Sequence, residues 1–174
     1  MTKEDKELLL KDLSARLYYN IKGKITADCV IPHRYDNEGF PLESTFDVDV
    51  ELNGINIDTE EISINVFENK GDLSDYIDEC QSDNPCTIEE FKPYLRPMSS
   101  MTSTECMELS NLLPRYFTVF PEKLFCTEHI NGGIINLDVL DTIIDFYNSH
   151  HLDWRGLIPK GLALEAPDGM YNIK

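Results

Sequence analysis

Leu9, Leu10, Leu13 and Leu17 recur at the spacing of one helical face, and Lys11, Asp12 and Arg16 fall largely off it. The pattern predicts a helix from Thr2 to about Tyr19. Thr2 can cap its first turn, and Glu4, Asp5 and Glu7 sit where the positive end of the helix dipole favours anions. The period then shortens to two. Ile25, Ala27, Cys29 and Ile31 alternate with polar neighbours, and Phe46, Val48, Val50 and Leu52 alternate with Asp47, Asp49 and Glu51. Asn53-Gly54 follows, then Ile55 and Ile57, which predicts a tight hairpin because a type I′ turn needs positive φ at both central residues. Ile62, Ile64 and Val66 repeat the alternation. The expected product is an antiparallel sheet with one apolar and one acidic face.

From residue 68 to 90 the chain is polar and turn-rich, the expected mobile connection. Lys92 to Pro97 reads as extended, and its two prolines restrict it to an edge or to a non-strand segment. Thr102-Ser103-Thr104-Glu105 is a capping box, so a helix should run to Leu113 and stop before Pro114. Residues 115–135 fit no one period, though Gly132-Gly133 marks a turn. Leu140, Ile143, Ile144 and Tyr147 predict an amphipathic helix ending near His150. Three short apolar pieces, divided by Pro159-Lys160-Gly161 and Pro167-Asp168-Gly169, make up the tail. The predicted fold is α+β in a single domain, 1–174. It has an N-terminal helix, a small antiparallel sheet that could close into a barrel, and a helical C-terminal third within a C-terminal region, 91–174.

Composition supports a packed core: 41% of the 174 residues are hydrophobic. Charge adds an asymmetry. The net charge is −17, and residues 34–90 alone carry seventeen acidic against two basic side chains, a balance of −15. That region is either an acidic sheet with a role or an insert in solvent. The N-terminal residues lack the apolar core of a secretory signal, and no stretch approaches the ~20 apolar residues of a membrane helix, so a cytoplasmic protein is expected. Five cysteines, an odd number, predict free thiols; a Cys80–Cys86 disulfide would need an oxidising setting.

Three stretches carry a resemblance. They are Leu9-Leu10-Lys11-Asp12-Leu13-Ser14-Ala15-Arg16-Leu17, Tyr94-Leu95-Arg96-Pro97-Met98-Ser99-Ser100-Met101-Thr102, and the run from His150 through Trp154-Arg155-Gly156 to Pro167-Asp168-Gly169-Met170-Tyr171-Asn172. Together they resemble a family of small hypothetical proteins of gut Bacteroidetes, their phages and their mobile elements. The resemblance covers about a third of the residues and implies a bacterial or phage cytoplasm. It implies no activity and no site, and it does not extend to 34–90.

Several groups could carry chemistry. His150, His151 and Asp153 place an imidazole near a carboxylate, the elements of a base with its orienter, but no nucleophile stands in a recognisable elbow. A helix C-terminus, which favours imidazolium, accounts for them as well. Cys126 and His129 form a C-x2-H pair that His150 or His151 could complete as a zinc site, though a second close pair is lacking. Asp47, Asp49 and Glu51 share one face of a strand and could hold a hard cation, imitate a phosphate backbone, or simply be the wet side of a half-buried sheet. Trp154 and Arg155 could form an exposed interaction hot spot, although a lone Trp is more often core. The glycines fit neither a P-loop nor a dinucleotide fingerprint.

These features favour a non-enzymatic interaction or regulatory protein, without cofactor, whose acidic face engages a basic protein partner. One alternative is a small-barrel nucleic-acid binder, disfavoured because its basic edge would be limited to Lys22, Lys24, Lys92 and Arg96. The other is an enzyme or metal protein using Cys126, His129, His150 and His151.

Overall fold

In the computed structural model the first helix, α1 (Lys3–Arg16), starts where the sequence places it: the Thr2 hydroxyl accepts from the Asp5 backbone N–H at 3.1 Å. The structure describes residues 1–35, 41–66, 86–121, 123–126 and 137–171, with backbone alone at 27–35, 41–46, 66 and 123–126. The expected connection as far as residue 85, the Gly132-Gly133 turn, Cys80 and His129 lie outside the described residues. Two compact units make up the chain, 1–94 and 95–174.

Leu9 and Leu13 of α1 are buried, as their stripe predicts. Asp12 and Arg16, expected off that face, are fully buried too. Four residues apart on the helix, they pair: Arg16 Nε donates to Asp12 Oδ2 at 2.7 Å and Nη2 to Oδ1 at 3.2 Å. Mutual neutralisation lets both charges leave water, a possibility a hydrophobic stripe does not register.

The first unit's strands are β1 (Lys22–Tyr35), β2 (Pro41–Asn56), β3 (Glu61–Val66) and β4 (Phe91–Leu95), in the order β3-β2-β1-β4 and antiparallel throughout. Ile25, Val48, Val50, Leu52, Ile62, Ile64 and Phe91 are buried, so the period-two reading of the apolar face holds. The sheet is open and not a barrel. The outer side of β3 is met by the segment that precedes β4, not by β4: Ile62 N–H donates to Cys86 O at 2.9 Å and Ile88 N–H to Glu60 O at 3.0 Å. Pro93 lies in β4 opposite Gly23. An alanine Cβ at Gly23 would lie 2.7 Å from Lys92 O and clash with the edge of the Phe91 ring, so only glycine permits this approach of β1 and β4.

Asn53-Gly54 is not the hairpin turn. β2 runs through it to Asn56, and the register with β3 slips between Leu52 and Gly54, leaving Asn53 as an extra residue. The slip changes the phase, so Leu52 opposes Ile64 and Ile55 opposes Ile62 despite their odd spacing. The turn lies beyond. Asn56 Oδ1 accepts from Asp58 N at 3.1 Å and Thr59 N at 3.3 Å, and Glu60 takes φ 58°. A side chain that imitates a backbone turn has replaced the glycine signal.

In the second unit, α2 (Ser103–Leu112) has both arms of its capping box. It is followed by the β5 (Phe117–Phe120) and β6 (Lys123–Cys126) hairpin, then α3 (Leu137–Ser149) and the short β7 (Leu164–Glu165). The core of this unit joins Leu109 and Leu113, Phe117 and Val119, and Ile143 and Phe146 with Leu152. Leu95, the last residue of β4, belongs to this unit and accepts from Ala166 N at 2.8 Å, bringing β7 to the strand. The architecture is α+β, with helices toward both ends of the chain and an open five-stranded sheet. Among the described residues no helix is long and apolar enough to cross a membrane.

Candidate functional site

The acidic row of β2 is placed as the alternation requires, but it has neighbours. Opposite Asp47, Asp49 and Glu51 on β1 stand Thr26, Lys24 and Lys22, and Lys92 of β4 stands opposite Lys24. Thr26 Oγ1 donates to Asp47 Oδ1 at 3.0 Å, Lys24 Nζ lies 3.8 Å from Asp47 Oδ2, and Tyr94 Oη donates to Asp49 Oδ1 at 2.8 Å. Asp47 is exposed, and Asp49 and Glu51 are half-buried. Three lysines beside three carboxylates leave this face mixed in sign, acidic on β2 and basic on β1 and β4. A phosphate mimic needs an unbroken negative strip, and the charge asymmetry of the sequence does not reveal this cross-strand neutralisation.

In the second unit, the residues of the His150–Asp153 cluster diverge. His150 stacks on Phe146, ring centroids 3.9 Å apart, with Nδ1 at 2.9 Å from Phe146 O. His151 takes φ 55° and stacks on Tyr171 at 3.6 Å. Asp153 is buried and uses both oxygens on the backbone, accepting from Leu157 N at 2.7 Å and Ile158 N at 2.8 Å. It caps the turn of the tail and does not orient an imidazole. Cys126 lies in β6, with its side chain outside the described region as His129 is. Among the described residues no group of three His, Cys, Asp or Glu could hold a metal. Trp154 is half-buried and donates from Nε1 to Asn148 Oδ1 at 2.9 Å, while the Arg155 guanidinium stacks over its ring at 3.9 Å. The two hot-spot candidates thus lie together, one covering the other.

A two-pronged ion pair in this unit joins Arg96 to Glu105. Arg96 Nη1 and Nη2 donate to the two carboxylate oxygens at 2.6 and 3.1 Å, and Nη2 also donates to Ser100 O at 3.0 Å. Burial by itself would raise the Glu105 carboxyl. The Arg96 guanidinium, with the Thr102 backbone N–H and hydroxyl, outweighs burial and holds it at about 2. The capping box predicted Glu105; its partner nine residues upstream has no helical spacing to betray it.

A groove of about 380 Å³ lies between α2 and α3. Glu108 and Leu112 line its α2 side, and Asp141, Asp145, Phe146 and His150 its α3 side. The three carboxylates are exposed, and Leu112 is 58% exposed although apolar. Phe146 is buried beneath them. Glu108 Oε2 lies 3.8 Å from His150 Nε2. Among the described residues that line the groove there is neither lysine nor arginine.

No family model matches this chain, and neither a curated protein nor a solved structure does. The site therefore rests on its own geometry. Its signal was present in the sequence. Asp138, Asp141 and Asp145 recur at the three- and four-residue spacing of a helical stripe, beside the apolar positions that define α3. Glu108 and Leu112 are likewise four apart, but nothing in the sequence pairs them with α3.

Proposed function

We propose that this protein is a non-enzymatic interaction or regulatory protein of the phage or mobile-element kind, acting in the cytoplasm by engaging a basic protein partner through an acidic surface. The observation that carries the reading is the α2–α3 groove, where exposed carboxylates on two helices flank the exposed Leu112. Carboxylates give such contact its speed and selectivity, and exposed apolar area gives it affinity. The row Asp47, Asp49 and Glu51 supports the reading less, because Lys22, Lys24 and Lys92 share its face.

The test is capture of partners from a bacterial lysate at low and at high salt, with three baits. They are the wild type, a groove variant (Glu108→Gln with Asp141→Asn) and a row variant (Asp47→Asn, Asp49→Asn and Glu51→Gln). A salt-sensitive partner lost by the groove variant and kept by the row variant is expected. Loss with the row variant alone would move the contact to β2, and a partner kept by both would refute an acidic contact surface.

A further inference from the structure

We infer that the α2–α3 groove takes a basic amphipathic α-helix of its partner; the inference rests on the interaction reading above and specifies the form of the partner. Three features of the groove point to a helix. Its walls carry rows of exposed residues spaced by four, Glu108 with Leu112 on α2 and Asp141 with Asp145 on α3. Such rows are the ridges between which a third helix packs. The lining positions on α3 run from Asp141 to Ser149, about 12 Å at the helical rise, which matches about two turns of a ligand helix.

The second feature is the chemistry of the groove. Carboxylates stand on both walls, and the exposed Leu112 adds apolar area to the α2 wall. A helix with apolar residues at i, i+3, i+4 and i+7 and Lys or Arg on either side presents complementary groups to both. The third is the backbone. The groove is walled by helices, whose internal hydrogen bonds leave no strand edge to pair with. An extended peptide would lay its N–H and C=O groups on side chains, whereas a helix brings its own backbone bonds.

Charge selects among occupants. A second copy of this chain carries −17 and would be repelled. Nucleic acid and anionic lipid would meet the same carboxylates with the same sign. A basic protein segment is the occupant whose charge complements the groove.

The test uses the full chain and two labelled synthetic peptides of the same lysine and leucine composition, each about fourteen residues or four turns long. In one the leucines form a helical stripe; in the other they are spread around the helix. Fluorescence anisotropy at low and moderate salt measures binding. The striped peptide should bind at least about tenfold tighter than the dispersed one. Glu108→Gln with Asp141→Asn, and separately Leu112→Ser, should each weaken it about tenfold, the scale of losing a central contact. The row variant on β2 should leave it within about twofold. Glu108, Asp141 and Leu112 are exposed, and unchanged Trp154 emission will verify that the groove variants fold, while unchanged circular dichroism will verify the row variant. Equal binding of both peptides, weakened by the groove variant, overturns the helix while the basic-partner reading stands. Binding indifferent to the groove variants overturns the site, and no binding of either peptide at low salt overturns both.

Discussion

Glu105→Gln should destabilise the second unit at neutral pH by about 3 kcal/mol, and the loss should fade in acid. Glutamine keeps the shape of the protonated acid and can still accept from Thr102 N at the cap, so the change isolates the charge that faces Arg96. The carboxyl falls from an ordinary 4.5 to about 2 in the fold. At about 1.4 kcal/mol per pH unit that displacement corresponds to about 3 kcal/mol, and the 4% exposure of the side chain leaves little solvent to screen it. Because the folded value is depressed, the stabilisation is complete above about pH 4.5 and is lost as pH falls toward 2. Near pH 3 about 1.4 kcal/mol of it remains. Urea titrations followed by tryptophan fluorescence suit the measurement, since Trp154 is the one tryptophan and lies in the second unit, so its signal follows that unit alone. Wild type and Glu105→Gln should differ clearly at pH 7 and converge between pH 4.5 and 2. A difference of the same size at pH 7 and pH 3 would refute the ion pair as its source and leave altered packing as the cause.

Asp153→Ala strips the acceptors from Leu157 N and Ile158 N in a buried turn and should cost about 2–4 kcal/mol by the same fluorescence titration; a cost below about 0.5 kcal/mol would mean that water serves those amides equally well. Gly23→Ala should push β1 from β4 and cost about 1–3 kcal/mol, seen as faster hydrogen exchange at the Ile25 amide, and unaltered exchange would contradict the close approach to Lys92 O. Lys24→Glu sets like charges opposite Asp49 and should cost about 0.5–1 kcal/mol in low salt, shrinking in high salt, as read by thermal unfolding of the first unit in circular dichroism. A cost independent of salt would argue against charge as its origin.

Much of the fold was legible because it rests on local devices. Thr2 and the Thr102–Glu105 box each cap the helix they predict, since a cap is settled within four residues. The β2 alternation likewise named the buried Val48, Val50 and Leu52. Where two local signals competed, the sequence misled. Asn53-Gly54 offers a turn, but Leu52 and Ile55 both needed to oppose β3 isoleucines, and a bulge met that need while Asn56 built the turn later. The candidate site was harder to see because it depends on pairs without a period: Arg96 with Glu105, α2 with α3, and Lys22 and Lys24 beside the β2 acids. Which strand neighbours which is a tertiary fact. It turned an apparent acidic strip into a face of mixed sign and left the two-sided carboxylate groove to the helices.

The second unit is held together between its first residues and its last third. Arg96 N–H donates to His151 O at 2.8 Å, Asp153 N–H donates to Arg96 O at 2.7 Å, and Ala166 N–H reaches Leu95 O. These bonds close loops of more than fifty residues, so their formation is slow and late in folding. During synthesis the strands of the first unit are complete once β4 has been made, and that unit can settle while the ribosome is still extending the chain. Leu95 and Arg96 must wait for residues made much later before their backbone is paired. A translational pause between α2 and α3 would prolong the life of a half-folded chain, with one unit formed and the other open to chaperones and proteases.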